Sequence, residues 1–308
     1  MLHNTQSTKL DMKIAVIIVS YNFERWIDRC LGSLRASSVQ ADVIVVDNCS
    51  IDNTTSIIEH DYPEVTLIKN QKNLGFGQAN NIGMGVAQER GCDAVLLLNE
   101  DAWIDEDVIG TLCDLSRRFP QYGILSPVHL TGDRQYLDQG FAAYAKLNKE
   151  TSLQDYLAIK ANTEIVELPF VNAAFWFIPI EALNKVGGFS PMFFMYGEDK
   201  DWVNRLRYHG YALGYCPSIF GCHDRAMRPV TYDAFMLSEQ VYFQSEYLNP
   251  NYSLLSAFSY GVLAIIKKSA KCLVLLKWQM SKDYLLYFFC LLGQSLSIIG
   301  ERRRTKKH

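Results

Sequence analysis

The sequence predicts an α/β protein with an open, mostly parallel sheet flanked by helices, followed by a helical segment at the C-terminus. Short runs of aliphatic and β-branched residues alternate with amphipathic segments, which is typical of parallel strands buried on both faces and connected by helices. After about residue 231, long apolar runs interrupted by basic clusters replace this alternation. The two patterns predict two structural regions.

The first half of the chain supplies five strands with helices between them. Strands are predicted over 14–19, 43–46, 65–68, 94–98 and 122–128, and helices over 24–36, to about 58, to about 90 and over 105–118. Residues 130–168 show no clear period; beyond them, strands are predicted over 170–180 and 211–217, and helices over 181–189 and 199–209. Open parallel sheets bind ligands at the carboxyl ends of their strands. The polar segments SYN, DN and NED directly follow buried strands, so we expect them to meet at one edge.

The charge is unevenly distributed along the chain. Residues 253–308 carry ten Lys/Arg and two acidic residues, a net +8, whereas residues 1–252 carry twenty Lys/Arg and thirty-one acidic residues, a net −11. An acidic body argues against nucleic acid as the main ligand, because phosphate binding needs a basic face. The basic, aromatic-rich tail predicts helices that lie at a membrane surface; packing on the core or on a second subunit is the alternative. The run 284–300 has about the minimum length for a span.

The cysteines and the N-terminus indicate the compartment. The eight cysteines are scattered and form no CxxC pair, which indicates reduced thiols. Residues 1–13 contain no apolar stretch, so no secretory signal is predicted. We therefore expect a cytoplasmic protein.

Two acidic positions follow predicted strands directly. The cluster Asn99-Glu100-Asp101 suits a hard divalent cation that also contacts diphosphate oxygens, although a solvated loop before the next helix is equally compatible. Asp47 ends the second strand, where it could accept hydrogen bonds from a base or ribose or form an Asx-turn.

Two further positions lie in the second half of the domain. Glu198 and Asp199 open a predicted helix, where acidic residues cap helices but also suit a general base for an acceptor hydroxyl. His223 would complete a Mn²⁺-type site only if the chain returned it to Asp101.

The segment NLGFGQANN resembles a dinucleotide fingerprint incompletely. Gly75-x-Gly77-x-x-Asn80 lacks the third small residue and follows the third strand, which excludes NAD or FAD binding. Backbone N–H groups at the start of the following helix could still contact a nucleotide diphosphate. No GxxxxGK[ST] or GxSxG element occurs, so neither ATP hydrolysis nor serine-esterase chemistry is indicated.

Five ordered motifs together resemble the family-2 (GT-A fold) inverting glycosyltransferases, particularly their rhamnosyltransferase-like branch. They are VIIVSYN, VIVVDNCSIDNT, NLGFGQANNIG, VLLLNEDAWID and FFMYGEDKDWVNRLRYHGY, and the resemblance runs from about residue 13 to 225. The resemblance implies a nucleotide-binding half over about 13–128 and an acceptor half over about 129–230. Residues 1–230 would form the catalytic domain and 231–308 the membrane-associating or oligomerising segment.

The resemblance also implies roles for individual residues. Asp199 would be the catalytic base, and Asp101 and His223 would bind Mn²⁺ or Mg²⁺. Glu198 would orient the acceptor. Trp176 lies where an acceptor sugar could stack, and a place in the core is the equally weighted alternative. The donor would be bound by Tyr21, Asn22, Asp47, Gly75, Asn80, Asn99 and Glu100. Asn99 stands where Asp is usual in the metal-binding motif, and Glu100 replaces a proline of this branch.

The implied reaction moves a sugar from a nucleotide diphosphate onto a saccharide hydroxyl with inversion at the anomeric carbon. L-rhamnose from dTDP-rhamnose is the expected donor, and UDP-galactose, UDP-galactofuranose and UDP-glucose are alternatives. The expected acceptor is a lipid-linked saccharide for O-antigen or a similar polysaccharide, at the inner face of a bacterial membrane. A non-catalytic nucleotide-sugar-binding subunit is the alternative from another class, because Asn99 departs from the metal-binding pattern.

Overall fold

The computed structural model describes residues 12–225 and 231–306. The predicted absence of a secretory signal concerns residues 1–11, which lie outside the described residues. Lys307 of the basic tail also lies outside them. Within the described residues, nine strands form one sheet: β1 (Ile14–Ser20), β2 (Asp42–Asp47), β3 (Thr66–Lys69), β4 (Ala94–Asn99), β5 (Ala102–Ile104), β6 (Tyr122–Thr131), β7 (Val166–Glu167), β8 (Phe175–Pro179) and β9 (Ala212–His223).

Helices flank this sheet and form the C-terminal region. They are α1 (Ile27–Arg35), α2 (Thr54–Asp61), α3 (Phe76–Glu89), α4 (Val108–Arg118), α5 (Gln139–Tyr144), α6 (Leu153–Ile159), α7 (Ile180–Val186), α8 (Glu198–Tyr208), α9 (Tyr232–Leu248), α10 (Leu254–Phe258), α11 (Ala264–Val274), α12 (Trp278–Gly293) and α13 (Ser295–Thr305). A π-helical turn, Ser259–Leu263, joins α10 to α11.

The sheet order is β3-β2-β1-β4-β8-β6-β9-β5, with β7 also paired to β9. The first four strands in this order are parallel. Strand β8 is antiparallel to both of its neighbours, and β5 and β7 are antiparallel to β9. The predicted open α/β sheet is confirmed, and beyond β4 it is mixed rather than parallel.

The apolar runs are continuous because both faces of the sheet are covered. In β1, Ala15 and Ile17 belong to one core cluster, while Ile14, Val16 and Ile18 belong to the cluster on the opposite face. Alternate residues of a strand point to opposite faces, so a strand buried on both sides must be apolar throughout.

The region after residue 231 has a core of its own. Helices α9, α12 and α13 and the π turn bury Phe243, Tyr247, Val262 and Leu291 in a third cluster, which also includes Phe193 from the loop before α8. Apolar side chains remain exposed on the outside of α11 and α12. Among the described residues no single helix is long and apolar enough to cross a membrane; α12 and α13 together meet those criteria but are bent by 57°.

Arg302 belongs to this core rather than to the basic surface that the sequence predicts. Its side chain is 5% exposed and donates to the carbonyl oxygens of Tyr247 (2.9 Å), Tyr252 (2.8 Å) and Asn249. The guanidinium therefore joins α13 to the end of α9, where the helix carbonyls lack intrahelical partners. Burial lowers the pKa of Arg302.

Replacing Arg302 by leucine is expected to lower the free energy of unfolding by about 2–4 kcal/mol, because three buried carbonyls would lose their donor. Chemical denaturation followed by circular dichroism measures this loss. Arg303→Leu is the matched control. The Arg303 side chain is exposed, so the free energy of unfolding should change by less than about 0.5 kcal/mol. Equal stability of the two variants would contradict the structural role of Arg302.

Candidate active site

The predicted meeting of the three polar segments is confirmed. Strands β1, β2 and β4 are parallel neighbours, so their carboxyl ends reach the same edge of the sheet. The register pairs Ser20 with Asp47 and Val19 with Asn99. The polar residues that follow each strand therefore lie together at this edge, and we call the space beside them the cleft.

Asp47 joins the end of β1 to the turn after β2. Its side chain is 2% exposed and accepts hydrogen bonds from the hydroxyls of Ser20 (2.9 Å) and Ser50 (2.5 Å) and from the Ser50 amide (3.0 Å). The carboxylate thus fixes the turn after β2 against the end of β1. Its contact with a base or ribose stays a prediction.

Tyr21 and Asn22 form the turn after β1. Tyr21 is 46% exposed, and its amide donates to Glu100 Oε2 at 2.7 Å. Asn22 has a left-handed backbone (φ 61°), and its Oδ1 accepts from the Ile51 amide at 3.0 Å. The turn is therefore held from two sides while the Tyr21 ring remains open at the cleft, which suits stacking against a base.

The chain returns His223 to Asp101, as a metal site requires. Strand β5 pairs antiparallel with the end of β9, and this register places Ala102 opposite His223. His223 Nε2 lies 3.2 Å from Asp101 Oδ1 and 3.4 Å from Asn99 Nδ2. The His223 side chain is 3% exposed, whereas the Asp101 side chain is 20% exposed.

The donor atoms at this point fit a divalent cation of the Mn²⁺ type. One carboxylate and one imidazole are adjacent, and Asn99 Oδ1 is buried without a hydrogen-bond partner. An oxygen–nitrogen set of this kind suits Mn²⁺. The described residues contain no group of three or more His, Cys, Asp or Glu side chains arranged around one point, so a bound nucleotide would have to supply further ligands.

Behind His223 lies a group of residues that the sequence did not indicate. Asp138 Oδ2 is 3.9 Å from His223 Nδ1, while Asp138 Oδ1 accepts from Arg225 Nη2 at 2.9 Å and from the Phe141 amide at 2.9 Å. A side chain at Gly140 would collide with the Arg225 guanidinium, so glycine leaves room for this cation. Asp138 lies in the aperiodic segment 130–168, so no sequence pattern pointed to it. The position of Arg225, two residues after His223, was the one sequence feature that could have indicated this group.

Glu198 and Asp199 begin α8 beside this group. Glu198 is 6% exposed with Oε2 unpartnered, and Asp199 Oδ1 accepts from the Lys200 amide at 2.7 Å. Tyr144 connects the two parts of the site: burial raises its pKa, and the charges of Asp199, Arg225 and Asp138 act on it as well. Tyr144 thus lies within electrostatic range of both the predicted base Asp199 and the Asp138–Arg225 pair behind His223.

Three carboxyl groups of the site have raised pKa values. Burial raises the pKa of Glu100 to about 8, with the nearby carboxylates of Asp101 and Asp47 adding to the shift. Burial and the neighbouring Asp199 raise the pKa of Glu198 to about 7, and burial raises that of Asp199 to about 6. Burial therefore keeps these carboxyl groups protonated to a higher pH than usual, and neighbouring carboxylates add to the effect at Glu100 and Glu198.

The free protein should lose stability as the pH rises from about 4.5 to 8. A carboxyl group with a raised folded-state pKa binds protons more tightly when folded, so its contribution favours the folded state at low pH and is lost through the folded pKa. Melting temperatures measured in chelator at pH 5 and pH 8 test this. Glu100→Gln should flatten the dependence, and identical pH profiles for wild type and variant would contradict it.

The third acidic residue of this segment is structural. Asp201 is 2% exposed and pairs with Arg205 Nε at 2.9 Å, and Arg205 Nη1 donates to the Val186 carbonyl at 2.7 Å. This buried ion pair attaches α8 to α7. Asp201 therefore supports the helix that presents Asp199.

Two predicted ligand contacts are wrong. Trp176, predicted to stack on an acceptor sugar, is 0% exposed; it packs on Phe189 and Trp202, and its Nε1 donates to the Val171 carbonyl at 3.1 Å. Asn80, predicted to bind the donor, is 1% exposed and donates to the Phe76 carbonyl of its own helix at 3.0 Å. Strand β8 is central in the sheet and α3 packs on β1, β2 and β4, so both side chains are buried.

Gly75 allows a close approach beside the cleft. It has φ +78°, and a side chain there would collide with the Phe194 carbonyl. Its own carbonyl accepts from Asn48 Nδ2 at 3.2 Å. The turn before α3 thus packs directly on the loop that precedes Glu198.

Solved structures share this fold. The mannosyltransferase PcManGT from Pyrobaculum calidifontis, solved in complex with GDP-Man and Mn²⁺, superposes with a TM-score of 0.56 over 94% of this chain and 88% of that chain, at 17% identity. The fold is therefore the GT-A type used by glycosyltransferases, in agreement with the fold that the sequence motifs imply.

Sequence relatives define the family. Residues 15–186, more than half of the chain, match the family described as Glycosyl transferase family 2. The N-acetylglucosaminyl-diphospho-decaprenol L-rhamnosyltransferase of Mycobacterium tuberculosis is 27% identical over 69% of this chain and 76% of its own length. The rhamnosyltransferase WbbL of Escherichia coli is 25% identical over 68% and 83%. The chain belongs to glycosyl transferase family 2 and is a glycosyltransferase.

Proposed function

We propose that the protein transfers a sugar from a nucleoside diphosphate donor to a saccharide hydroxyl in one inverting displacement. The observation that carries this proposal is the return of His223 to within 3.2 Å of Asp101. Asp199 acts electrostatically on Tyr144, as do Asp138 and Arg225 beside His223. A metal-ligand pair and a carboxylate with a pKa of about 6 are the two groups that such a displacement needs.

Asp199 accepts the proton from the acceptor hydroxyl, and the resulting oxygen attacks the anomeric carbon opposite the leaving diphosphate. The unpartnered Glu198 Oε2 accepts a hydrogen bond from the same acceptor and orients it. No covalent enzyme intermediate forms, so the anomeric configuration inverts.

Asp101 and His223 would hold a divalent cation, Mn²⁺ or Mg²⁺, and the unpartnered Asn99 Oδ1 is available as a further oxygen. When bound, the cation neutralises charge on the departing nucleoside diphosphate. Asn99 in place of Asp leaves one fewer negative charge than a motif with two aspartates. Arg225 adds a protein cation to the same wall of the site.

The proposed donor is dTDP-L-rhamnose. Two relatives that match about two thirds of the chain are named rhamnosyltransferases, and the sequence motifs resemble the same branch. UDP-galactose, UDP-galactofuranose and UDP-glucose are the alternatives, since nucleotide-contacting motifs are common to these donors.

The proposed acceptor is a saccharide linked to a polyprenyl diphosphate, used in building a bacterial cell-surface polysaccharide such as O-antigen. The name of the mycobacterial relative, which specifies a decaprenyl diphosphate-linked sugar, supports this class of acceptor. Residues 1–230 form the catalytic domain in this proposal, and residues 231–308 bring it to the inner face of the membrane.

A donor panel tests this function. The purified chain is incubated with each nucleotide sugar and Mn²⁺, with and without a membrane-lipid extract, and nucleoside diphosphate release is followed. Release from dTDP-rhamnose alone, dependent on Mn²⁺, is the expected result. Release from a UDP-sugar instead would overturn the rhamnose assignment, and no release from any donor would overturn the transferase.

The membrane-facing surface in this proposal is the turn between α11 and α12. Val274 is 81% exposed, Leu276 70% and Trp278 63%, and the exposed Lys271 and Lys277 flank them. Exposed apolar side chains with lysines beside them match an anionic lipid surface, where the apolar groups insert and the lysines meet headgroups.

Val274→Asp together with Trp278→Asp should lower binding to phosphatidylglycerol-containing vesicles at least about 10-fold, because two inserting side chains become charged. Co-sedimentation measures the bound fraction, which should also fall with salt. Ile51→Asp is the control, since Ile51 is 86% exposed in the catalytic region and should leave binding unchanged. Equal binding by all three proteins would contradict this surface.

A further inference from the structure

A groove of about 760 Å³ lies between the loop before α8 and the helices α9 and α12. Its volume is in the range of sites that hold small organic ligands. We define this acceptor-side groove by its three walls: residues 192–196, the α9 face with Leu237 and Val241, and the α12 face with Leu286 and Tyr287.

The groove adjoins the start of α8, because a side chain at Gly197 would collide with Val241 and Phe193, which line the groove. Its first wall, Met192 to Tyr196, leads through Gly197 directly into Glu198 and Asp199. The close contact between Gly75 and the Phe194 carbonyl fixes this loop between the cleft and the groove. A molecule whose hydroxyl reached Asp199 could therefore extend along the loop into the groove.

The walls leave large apolar side chains exposed around a concave surface. Phe194 is 61% exposed, Met195 44%, Leu237 42% and Leu286 59%. The charged side chains that line the groove are two aspartates, and Asp283 accepts hydrogen bonds from the Tyr232 hydroxyl (2.6 Å) and from Gln279. Four glutamines also line the groove: Gln240, Gln244, Gln279 and Gln294. The exposed apolar side chains favour an apolar, flexible occupant, and methionine side chains adapt to ligands of irregular shape.

The far wall leads toward the proposed membrane surface. Leu285, Leu286 and Phe289 are exposed on α12, the helix that begins at Trp278 in the lipid-facing turn. The groove therefore connects a surface of apolar side chains with the start of α8. A chain that begins in a bilayer and ends at a reacting saccharide would follow this path.

We propose that the acceptor-side groove binds the isoprenoid chain of a lipid-linked acceptor, near its diphosphate end. This inference rests on the proposed function, because it takes Asp199 as the point where the acceptor hydroxyl lies. It adds a binding site for the lipid, so the enzyme recognises the carrier as well as the sugar. Leu237 and Leu286, on facing helices, contact the chain.

The test compares two ligands with the same head group. Calorimetry with the full-length chain and Mg²⁺ measures binding of farnesyl diphosphate and of isopentenyl diphosphate, so that contributions of the diphosphate cancel. The expected result is binding of farnesyl diphosphate at least about 10-fold tighter, because two further isoprene units become buried. Equal affinities, or no binding of farnesyl diphosphate, would overturn the proposal.

Matched variants locate the binding site. Leu286→Asp should weaken farnesyl diphosphate binding at least about 10-fold, while Leu285→Asp, an exposed leucine one residue away and outside the groove, should change it less than about 2-fold. Leu237→Asp on the facing helix should match Leu286→Asp, and circular dichroism establishes that each variant is folded. Equal losses at positions 285 and 286 would indicate adsorption to the outer surface and overturn the groove assignment.

The outcome is independent of donor chemistry. Farnesyl diphosphate binding needs neither a nucleotide sugar nor turnover, so a failed donor panel would leave this measurement interpretable. Conversely, donor turnover with no farnesyl diphosphate binding would remove the groove proposal alone. A second copy of the chain as occupant would show as dimer dissociation in Leu286→Asp and no farnesyl diphosphate binding in the wild type.

Discussion

Replacing Asp199 by asparagine is expected to lower kcat about 1,000-fold while leaving donor binding within about 2-fold of the wild type. The amide keeps the shape of the side chain but cannot accept the hydroxyl proton, and general-base catalysis contributes about 100- to 10,000-fold. Initial rates of nucleoside diphosphate release in the presence of acceptor measure the loss. The donor dissociation constant is measured separately by calorimetry.

The pH profile of the wild type gives an independent check on this role. Burial raises the pKa of Asp199 to about 6, and only the ionised form accepts a proton. The acceptor-dependent rate should therefore rise with pH through about 6, and the residual rate of Asp199→Asn should lack that rise. A variant that retained both the rate and the pH dependence would exclude Asp199 as the base.

Replacing Asp101 by alanine is expected to weaken Mn²⁺ binding in the presence of nucleoside diphosphate at least about 100-fold, and to lower turnover by a similar or greater factor. Asp101 supplies the exposed carboxylate of the pair, and no other His, Cys, Asp or Glu among the described residues completes a three-ligand group there. Losing the charged ligand removes both affinity and charge neutralisation. Electron paramagnetic resonance of free Mn²⁺ gives the binding constant without turnover.

Asp105→Ala is the matched control for this variant. Asp105 lies four residues further along the chain and pairs with Arg134 on the surface (2.5 Å), so its loss should leave Mn²⁺ binding unchanged. His223→Ala should weaken binding less than Asp101→Ala, because it removes a neutral ligand. Undiminished Mn²⁺ affinity in Asp101→Ala would remove the proposed metal site.

Much of the catalytic cleft could be predicted because its position follows from strand periodicity. Apolar runs located β1, β2 and β4, and the residues after them had to meet at one edge once the strands were parallel. The ligand contacts of Trp176 and Asn80 came from the family resemblance instead, and they were wrong. The sequence does not show which way a polar or aromatic residue near a motif points. Trp176 lies in the core because β8 is a central strand of the sheet.

Other features of the structure depend on contacts between segments that are distant in the sequence. Local sequence patterns do not predict such contacts. Strand β5 is three residues long, and it forms because β9 extends beyond its predicted end at residue 217 to His223. Asp138 lies in a segment of short helices without a clear period. Arg302 reads as part of a basic tail, and only the packing of α13 against α9 shows that its guanidinium is buried.

The anomeric configuration of the product, determined by nuclear magnetic resonance and compared with that of the donor, tests the central claim most directly. One displacement with Asp199 as base predicts the opposite configuration, whichever donor the panel identifies. A product with the donor's own configuration would require two displacements or front-side attack. It would contradict the mechanism built on Asp199, Asp101 and His223.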